Sequence, residues 1–515
     1  MRTTQITRHL GEAAQPATTL RAAAFLKSTV DENQQEYPGN IEFSPRDYIA
    51  YLLSVDAEIE HCLMVQYLYA AYSLGGPQVP AEYRAVVRNW KDIILGIAKE
   101  EMGHLISIQN SLRLIGAPLH MEREDYPWDV PFYPFPFALE PLTLDSLAKY
   151  VYAEAPQDWD GGELGKEIRA RVYKQAGATP VHHVAELFNT LIPLVQNPDY
   201  VPDDLFNPNT YAVQANWAEW GRGYHGGQRG NSQGAPAQTP DVLVEQQSNR
   251  DDMVTALQAI ASQGENTEGA TDSHFVRFLK IYVEMRELIE GKHLDHDEWK
   301  QTRPEIVPPE KWAQLKPESQ LVKAVKKSKW SPARAVATNP YVSLSDAEEP
   351  ELGGTKTTRI TNKEAILWAQ LHNIRYRMLL TYLIHSFTLH GGLTNDGERS
   401  PRGVIINATF GEMYSLRAIS DILMQLPVSA DEKEKVYAGP PFQMPYTLSS
   451  PFGETNRWRG HLDLLTAADK IIQALLSAGM PTTHHSYLYS LRESDNNLRL
   501  IIQRILSANI DTALL

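Results

Sequence analysis

Apolar positions along this chain recur mostly at helical spacing, and two long stretches near the start show it best. Residues 45–74 (PRDYIAYLLSVDAEIEHCLMVQYLYAAYSL) hold no glycine and no interior proline, and Gly75-Gly76-Pro77 stops them. Residues 82–115 repeat the pattern and end at Gly116-Ala117-Pro118. Each predicts a helix roughly 45 Å long, the dimension of an antiparallel bundle pair. The Pro- and aromatic-rich stretch 127–141 cannot be a regular helix and reads as an extended crossover. Short helices are expected within 144–156 and 181–195, followed by a polar, Gly- and Asn-rich surface insertion over 196–248. Helices are predicted again over 251–265 and 273–291, the second capped by Ser273. No sustained apolar period runs through 292–361. Helices then return at 362–390, 409–426, 456–478 and 498–508, with AGPPFQMPY (438–446) as a rigid connection. Strand-like alternation is sparse, so the fold class is mostly α. The expected layout is an N-terminal extension (1–44), a bundle with an insertion (45–291), an irregular excursion (292–361) and a C-terminal helical region packed on the bundle (362–515).

Charged and imidazole side chains inside these apolar patterns change the picture. Glu101 and His104 are three apart, so a helix puts both on one face, among Ile93, Ile94, Ile97, Leu105 and Ile108. On the helix before it, Asp56, Glu60 and Gln66 lie among Leu, Ile, Met and Tyr. Glu58 and Glu60 cannot share a face, and the denser apolar run after Glu60 selects it. Buried carboxylates are costly unless something positive neutralises them, and a metal ion is the simplest candidate. The Glu-x-x-His spacing, joined by single Glu residues from partner helices, is how four-helix bundles hold two ions. A solvated Glu–His pair remains the bland alternative. Glu186, Glu265 and His274 sit on or at the ends of further helices and are the remaining candidates. His182 and His183 face different ways, and His372 and His385 read as core histidines.

Composition then narrows the function. A net charge of −15 argues against nucleic acid and anionic membrane surfaces as partners. The single cysteine, Cys62, excludes an intrachain disulfide framework and reads as packing. No apolar run is long enough for a membrane span or a signal peptide, so a cytoplasmic protein is expected.

These elements resemble the ferritin-like family of the iminophenyl-pyruvate dimer synthase and chromopyrrolate synthase type. The resemblance rests on IEHCLMVQYLYAAYS, which matches Glu60, and on the Glu-Glu-Met-x-His element at Glu100–His104. VAELFNTL matches Glu186, and QGEN followed by SHFVRF matches Glu265 and His274. Ala185 and Asn266 depart from the glycines usual there. The resemblance implies a ferritin-like four-helix bundle with long insertions and additional C-terminal helices. It implies two Fe ions, with Mn or haem as alternatives. Glu101 would bridge, Glu60 and His104 would complete one ion, and Glu186, Glu265 and His274 the other. The implied activity is oxidation or oxygenation of an aromatic, amino-acid-derived small molecule by O2, by analogy with imine coupling. Tyr67 and Tyr69 could be redox-active neighbours of the ions, but packing in the bundle is their expected role. A metal-storage protein, a non-catalytic metal-binding scaffold and a haem oxidase are the alternatives, and homo-oligomerisation is compatible with all of them.

Overall fold

A computed structural model describes residues 44–123, 132–177, 180–220, 242–265, 273–294, 298, 330–342, 357–391, 400–431, 435–445, 447–478 and 482–508. The helices are α1 Pro45–Ser73, α2 Arg84–Leu114, α3 Leu144–Ala153, α4 Gly162–Ala176, α5 Ala185–Gln196, α6 Trp217–Trp220, α7 Arg250–Glu265, α8 His274–Glu290, α9 Lys363–Ser386, α10 Pro401–Leu423, α11 Glu454–Ser477 and α12 Thr482–Ser507. The described strands, β1 Pro340–Tyr341 and β2 Thr358–Arg359, form one short parallel pair. The mostly-α expectation is met.

Local chemistry explains the two long helices. Ser44 caps α1 by accepting from the Asp47 amide, Pro45 occupies its first turn, and Gly75 leaves the helix at φ +90°. Gly116, at φ +66°, ends α2 in the same left-handed way. The pair packs side by side along its length, with α5 against α1, α7 against α2 and α5, and α8 against α2, α3 and α7. Helix α4 was not foreseen. Its apolar stripe is only Leu164, Ile168 and Val172, which are buried in the main core beside α3.

The stretch 196–248 is less of a surface insertion than its composition suggests. Val201, Phe206, Trp220, Val242 and Val244 are buried in the main core. Residues 242–247 form an extended strap laid along α2. A Cβ at Gly103 would meet Val242 at 2.9 Å and the Leu243 carbonyl at 3.0 Å, so only glycine lets the strap approach. Ser107 and Asn110 of α2 then donate to the carbonyls of Leu243 and Glu245, each at 2.8 Å. In the aromatic crossover, Tyr133, Phe135 and Phe137 are buried against the bundle.

Helix α9 joins two cores. Tyr376, Leu379, Leu383 and Phe387 face the first, whereas Trp368, Leu371, Met378 and Tyr382 pack with α10, α11 and α12 in a second. Residues 438–445 bridge them: Gly439 stands at φ +75°, and a Cβ there would also collide with the Tyr69 hydroxyl of α1, so the position needs glycine twice over. No described helix is long and apolar enough to cross a membrane.

Candidate metal centre

Three faces of α1 carry three buried polar groups. Glu58 accepts from His120 at 2.8 Å and Tyr133 at 3.1 Å, and His61 bonds the Tyr376 hydroxyl of α9. Glu60 points the third way, into the bundle, as the choice between it and Glu58 anticipates. There Glu60 and Glu101 each approach the His104 Nδ1 at 3.2 Å. The other Glu101 oxygen lies 2.8 Å from the Nδ1 of His274, and Glu154 lies 3.6 Å from the same nitrogen. Two ligand sets result, Glu60–Glu101–His104 and Glu101–Glu154–His274, each with its donor atoms within 4.8 Å of one another and every residue buried. Glu101 belongs to both.

The outer nitrogens of the imidazoles are tied down. His104 Nε2 faces the Gln263 amide oxygen at 2.8 Å, and His274 Nε2 faces Glu100 at 2.9 Å; Arg277 clasps Glu100 from the other side. Protons on both Nε2 atoms leave both Nδ1 atoms turned inward, with the rings stacked 5.5 Å apart. Tyr67 donates to Glu154 at 2.6 Å and fixes that carboxylate. Tyr69 bonds the Ala337 carbonyl instead, away from the centre.

Inside this shell is a cavity of about 10 Å³, lined by the five ligand candidates with Leu63, Val184, Phe188, Ile260, Ala261 and Gly264. Space of that order holds one water-sized body. The Glu101 oxygen and the His274 Nδ1 that face each other across 2.8 Å make no proper hydrogen bond. Buried polar atoms that approach closely without bonding are what a shared cation would satisfy. Electrostatics agrees. Burial, then repulsion from Glu101, pushes the carboxyls of Glu60 and Glu154 up. For Glu101 burial acts the same way, but His274 and bonds from Glu60 and His104 outweigh it and hold its carboxyl well below the usual range. Burial would discharge His274, yet attraction to Glu101 and bonds to Glu100 keep it protonated far above an ordinary histidine. All-carboxylate and imidazole donors fit Fe or Mn better than soft metals.

Of the six expected ligands, Glu60, Glu101, His104 and His274 converge. Glu186 does not. It sits in the first turn of α5, pairs with His182 at 2.8 Å and accepts from the His183 amide at 3.2 Å. A helix N-terminus favours such a carboxylate, so its local role is capping. Glu265 ends α7, and its side chain lies outside the described residues. Glu154 was missed. It caps the C-terminus of α3, where the helix dipole disfavours an acid, and it is 2 % exposed. A buried acid at an unfavourable helix end was the available signal.

A family model described as ferritin-like matches residues 53–283, the segment that contains every converging ligand. Residues 53–283 thus match a ferritin-like domain. Dichlorochromopyrrolate synthase of Lentzea aerocolonigenes is 24% identical over 440 residues, covering 78% of this chain and 36% of that enzyme. The chain therefore spans about a third of the length of the curated relative it matches. No solved structure matches the chain.

Proposed function

We propose that this chain is a non-haem di-iron oxidase or oxygenase acting on an aromatic, amino-acid-derived small molecule in secondary metabolism, with imine coupling as the reaction type. One observation carries the reading: the Glu101 carboxylate is shared by two buried Glu–His sets that face a cavity of ion size. Glu60 and His104 would hold one ion, Glu154 and His274 the other, and Glu101 both. Iron held there supplies the reduction of O2 and the oxidising equivalents for the substrate. The protein's part is positional. Gln263 and Glu100 orient the imidazoles, Tyr67 orients Glu154, and Leu63, Val184, Phe188 and Ile260 keep bulk water out. Val184 and Phe188 of α5 and Ile260 and Ala261 of α7 form the apolar side from which an aromatic substrate would approach. The space between His104 and His274 suits ions rather than a porphyrin, which favours non-haem iron over the haem alternative. The relative's name, a synthase of a dichlorinated chromopyrrolate, supports an aromatic substrate class.

The test is elemental analysis paired with a visible spectrum, then O2 consumption with imines of aromatic 2-oxo acids. The expected result is two irons per chain, no Soret band and imine-dependent O2 uptake. Replacing Glu101 and His104 together by Ala should abolish metal uptake; stoichiometric metal retained by that double variant would refute the placement.

A further inference from the structure

We infer that Asp56 is the fourth carboxylate of this centre, set one helical turn below Glu60 to serve the divalent ions. The inference rests on the two-ion reading above. Bundles that hold two ions with single Glu residues and paired Glu-x-x-His elements bring four carboxylates and two imidazoles. Here the second pair is incomplete. Three residues before His274 the chain has Thr271, and only Glu60, Glu101 and Glu154 face the cavity. Glu100 is already committed to Arg277 and to the outer nitrogen of His274. Two divalent ions would bring one more positive charge than these three carboxylates cancel.

Asp56 has what that deficit needs. It lies four residues before Glu60, on the same face of α1. It is 0% exposed, and neither carboxylate oxygen has a hydrogen-bond partner among the described residues. Its electrostatic partners are residues of the centre: His104 and Glu101 act on it, and it acts on Glu60. Burial first, with Glu101 adding and His104 opposing, pushes its carboxyl up to about 8, as expected of an acid waiting for a cation. An ionised carboxylate left unpaired here pays a desolvation penalty that an apolar side chain would not. An ionised Asp56 removes the excess positive charge and satisfies two orphaned oxygens at once.

The experiment compares the full-length wild type with Asp56→Asn, which keeps the side-chain shape, and Asp56→Glu, which keeps the charge. Each is titrated anaerobically with Fe2+ and assayed for bound iron, and thermal unfolding is followed with and without the metal. Expected are two irons in the wild type and about 10–100-fold weaker binding of one of them in Asp56→Asn, the range for loss of a group supporting a metal site. Asp56→Glu should recover part of that loss. Metal-free Asp56→Asn should unfold at or above the wild-type temperature, with a smaller rise on adding Fe2+. Unchanged affinity for both irons in Asp56→Asn overturns the inference while leaving the centre intact. So does a metal-free variant that melts lower and binds normally, because that marks a purely structural residue. A wild type that takes up no metal defeats the proposed function itself, and this inference with it.

Discussion

Both cores of this molecule bury acids, and they neutralise them differently. In the second core, Glu412 of α10 and Asp495 of α12 close on Arg375 of α9, at 3.0 Å and 2.7 Å, with all three buried. In the first, Glu60, Glu101 and Glu154 line a cavity with no lysine or arginine among its lining residues, and Asp56 is buried one helical turn from Glu60. Arg277, which reaches the centre's edge, is spent on Glu100 outside the ligand sets. The same physical demand, that a desolvated carboxylate find a positive partner, is met by the chain itself in one place and, in the proposed function, left for an ion in the other. A guanidinium makes a static joint between three helices. An exchangeable ion makes a site with chemistry.

Removing the built-in cation should have the largest consequence. Arg375→Ala leaves Glu412 and Asp495 facing each other in a water-poor interior. Breaking a buried pair in this way costs about 3–5 kcal/mol. Denaturant unfolding near pH 8 should show a loss of that size with iron stoichiometry unchanged. A loss below about 1 kcal/mol would mean water enters the second core, and the contrast between the cores would fail.

Supplying the missing cation to the first core should act in the opposite direction and almost as strongly. Ligand bound only by the folded state stabilises it by about 3–4 kcal/mol at 100 to 1,000 times its dissociation constant. Anaerobic Fe2+ should therefore raise the unfolding temperature of the wild type but not of the chain carrying Ala at both 101 and 104. An equal rise in both would place the ion elsewhere.

The two cores were also unequally legible in the sequence. Helices α1 and α2 were plain because uninterrupted apolar periods met glycine stops, and Glu101 and His104 were plain because their spacing fixes a shared face. Glu60 could be preferred to Glu58 because a two-residue step on a helix turns the side chain away, and Glu58 indeed bonds His120 and Tyr133. Glu154 was hidden because its neighbours in the centre are distant along the chain: only the folding of α3 against α8 brings it to His274. Glu186 misled because a short apolar helix with an early Glu looks the same whether the acid caps its own helix or reaches a metal. The Arg375 cluster was invisible for the same reason as Glu154, since its three members are scattered over 120 residues. Parts of 196–248 read as surface because Gly, Asn and Gln dominate the count. The few apolar residues at the insertion's ends nonetheless find α2 and the core.

The second core predicts a pH signature as well. Burial, with Asp495 adding and Arg375 opposing, pushes the Glu412 carboxyl up to about 7 from an ordinary 4.5. The folded state therefore holds this proton more tightly than the unfolded chain. Its contribution to stability is full below about pH 4.5 and is lost as pH rises through about 7, to the extent of about 3 kcal/mol. Glu412→Gln removes that slope and still leaves Arg375 its Asp495 partner. Wild type and variant should differ little in unfolding free energy at pH 5, and the variant should gain on the wild type by pH 8. Parallel pH profiles would show that Glu412 is ionised throughout, with Arg375 outweighing burial.

The smallest and most diagnostic change is Gly264→Ala, at the next-to-last residue of α7. A Cβ there would stand 3.2 Å from the Glu154 carboxylate, close enough that one of the two must shift by a few tenths of an ångström. Helix propensity acts the other way, since alanine is favoured over glycine by about 1 kcal/mol in a helix interior and by less in a last turn such as this one. The two effects separate by condition. Without metal the variant should unfold slightly above the wild type, because a shift of a few tenths of an ångström keeps the bond from Tyr67 and no ion yet fixes the carboxylate. With iron the order should reverse, with about tenfold weaker binding at the ion held by Glu154 and His274. A variant that gains stability and keeps full affinity would show that Glu154 tolerates displacement, and its place among the ligands would be lost. In the second core no such opposition is expected, because there the partner of each acid is a side chain already bonded to it.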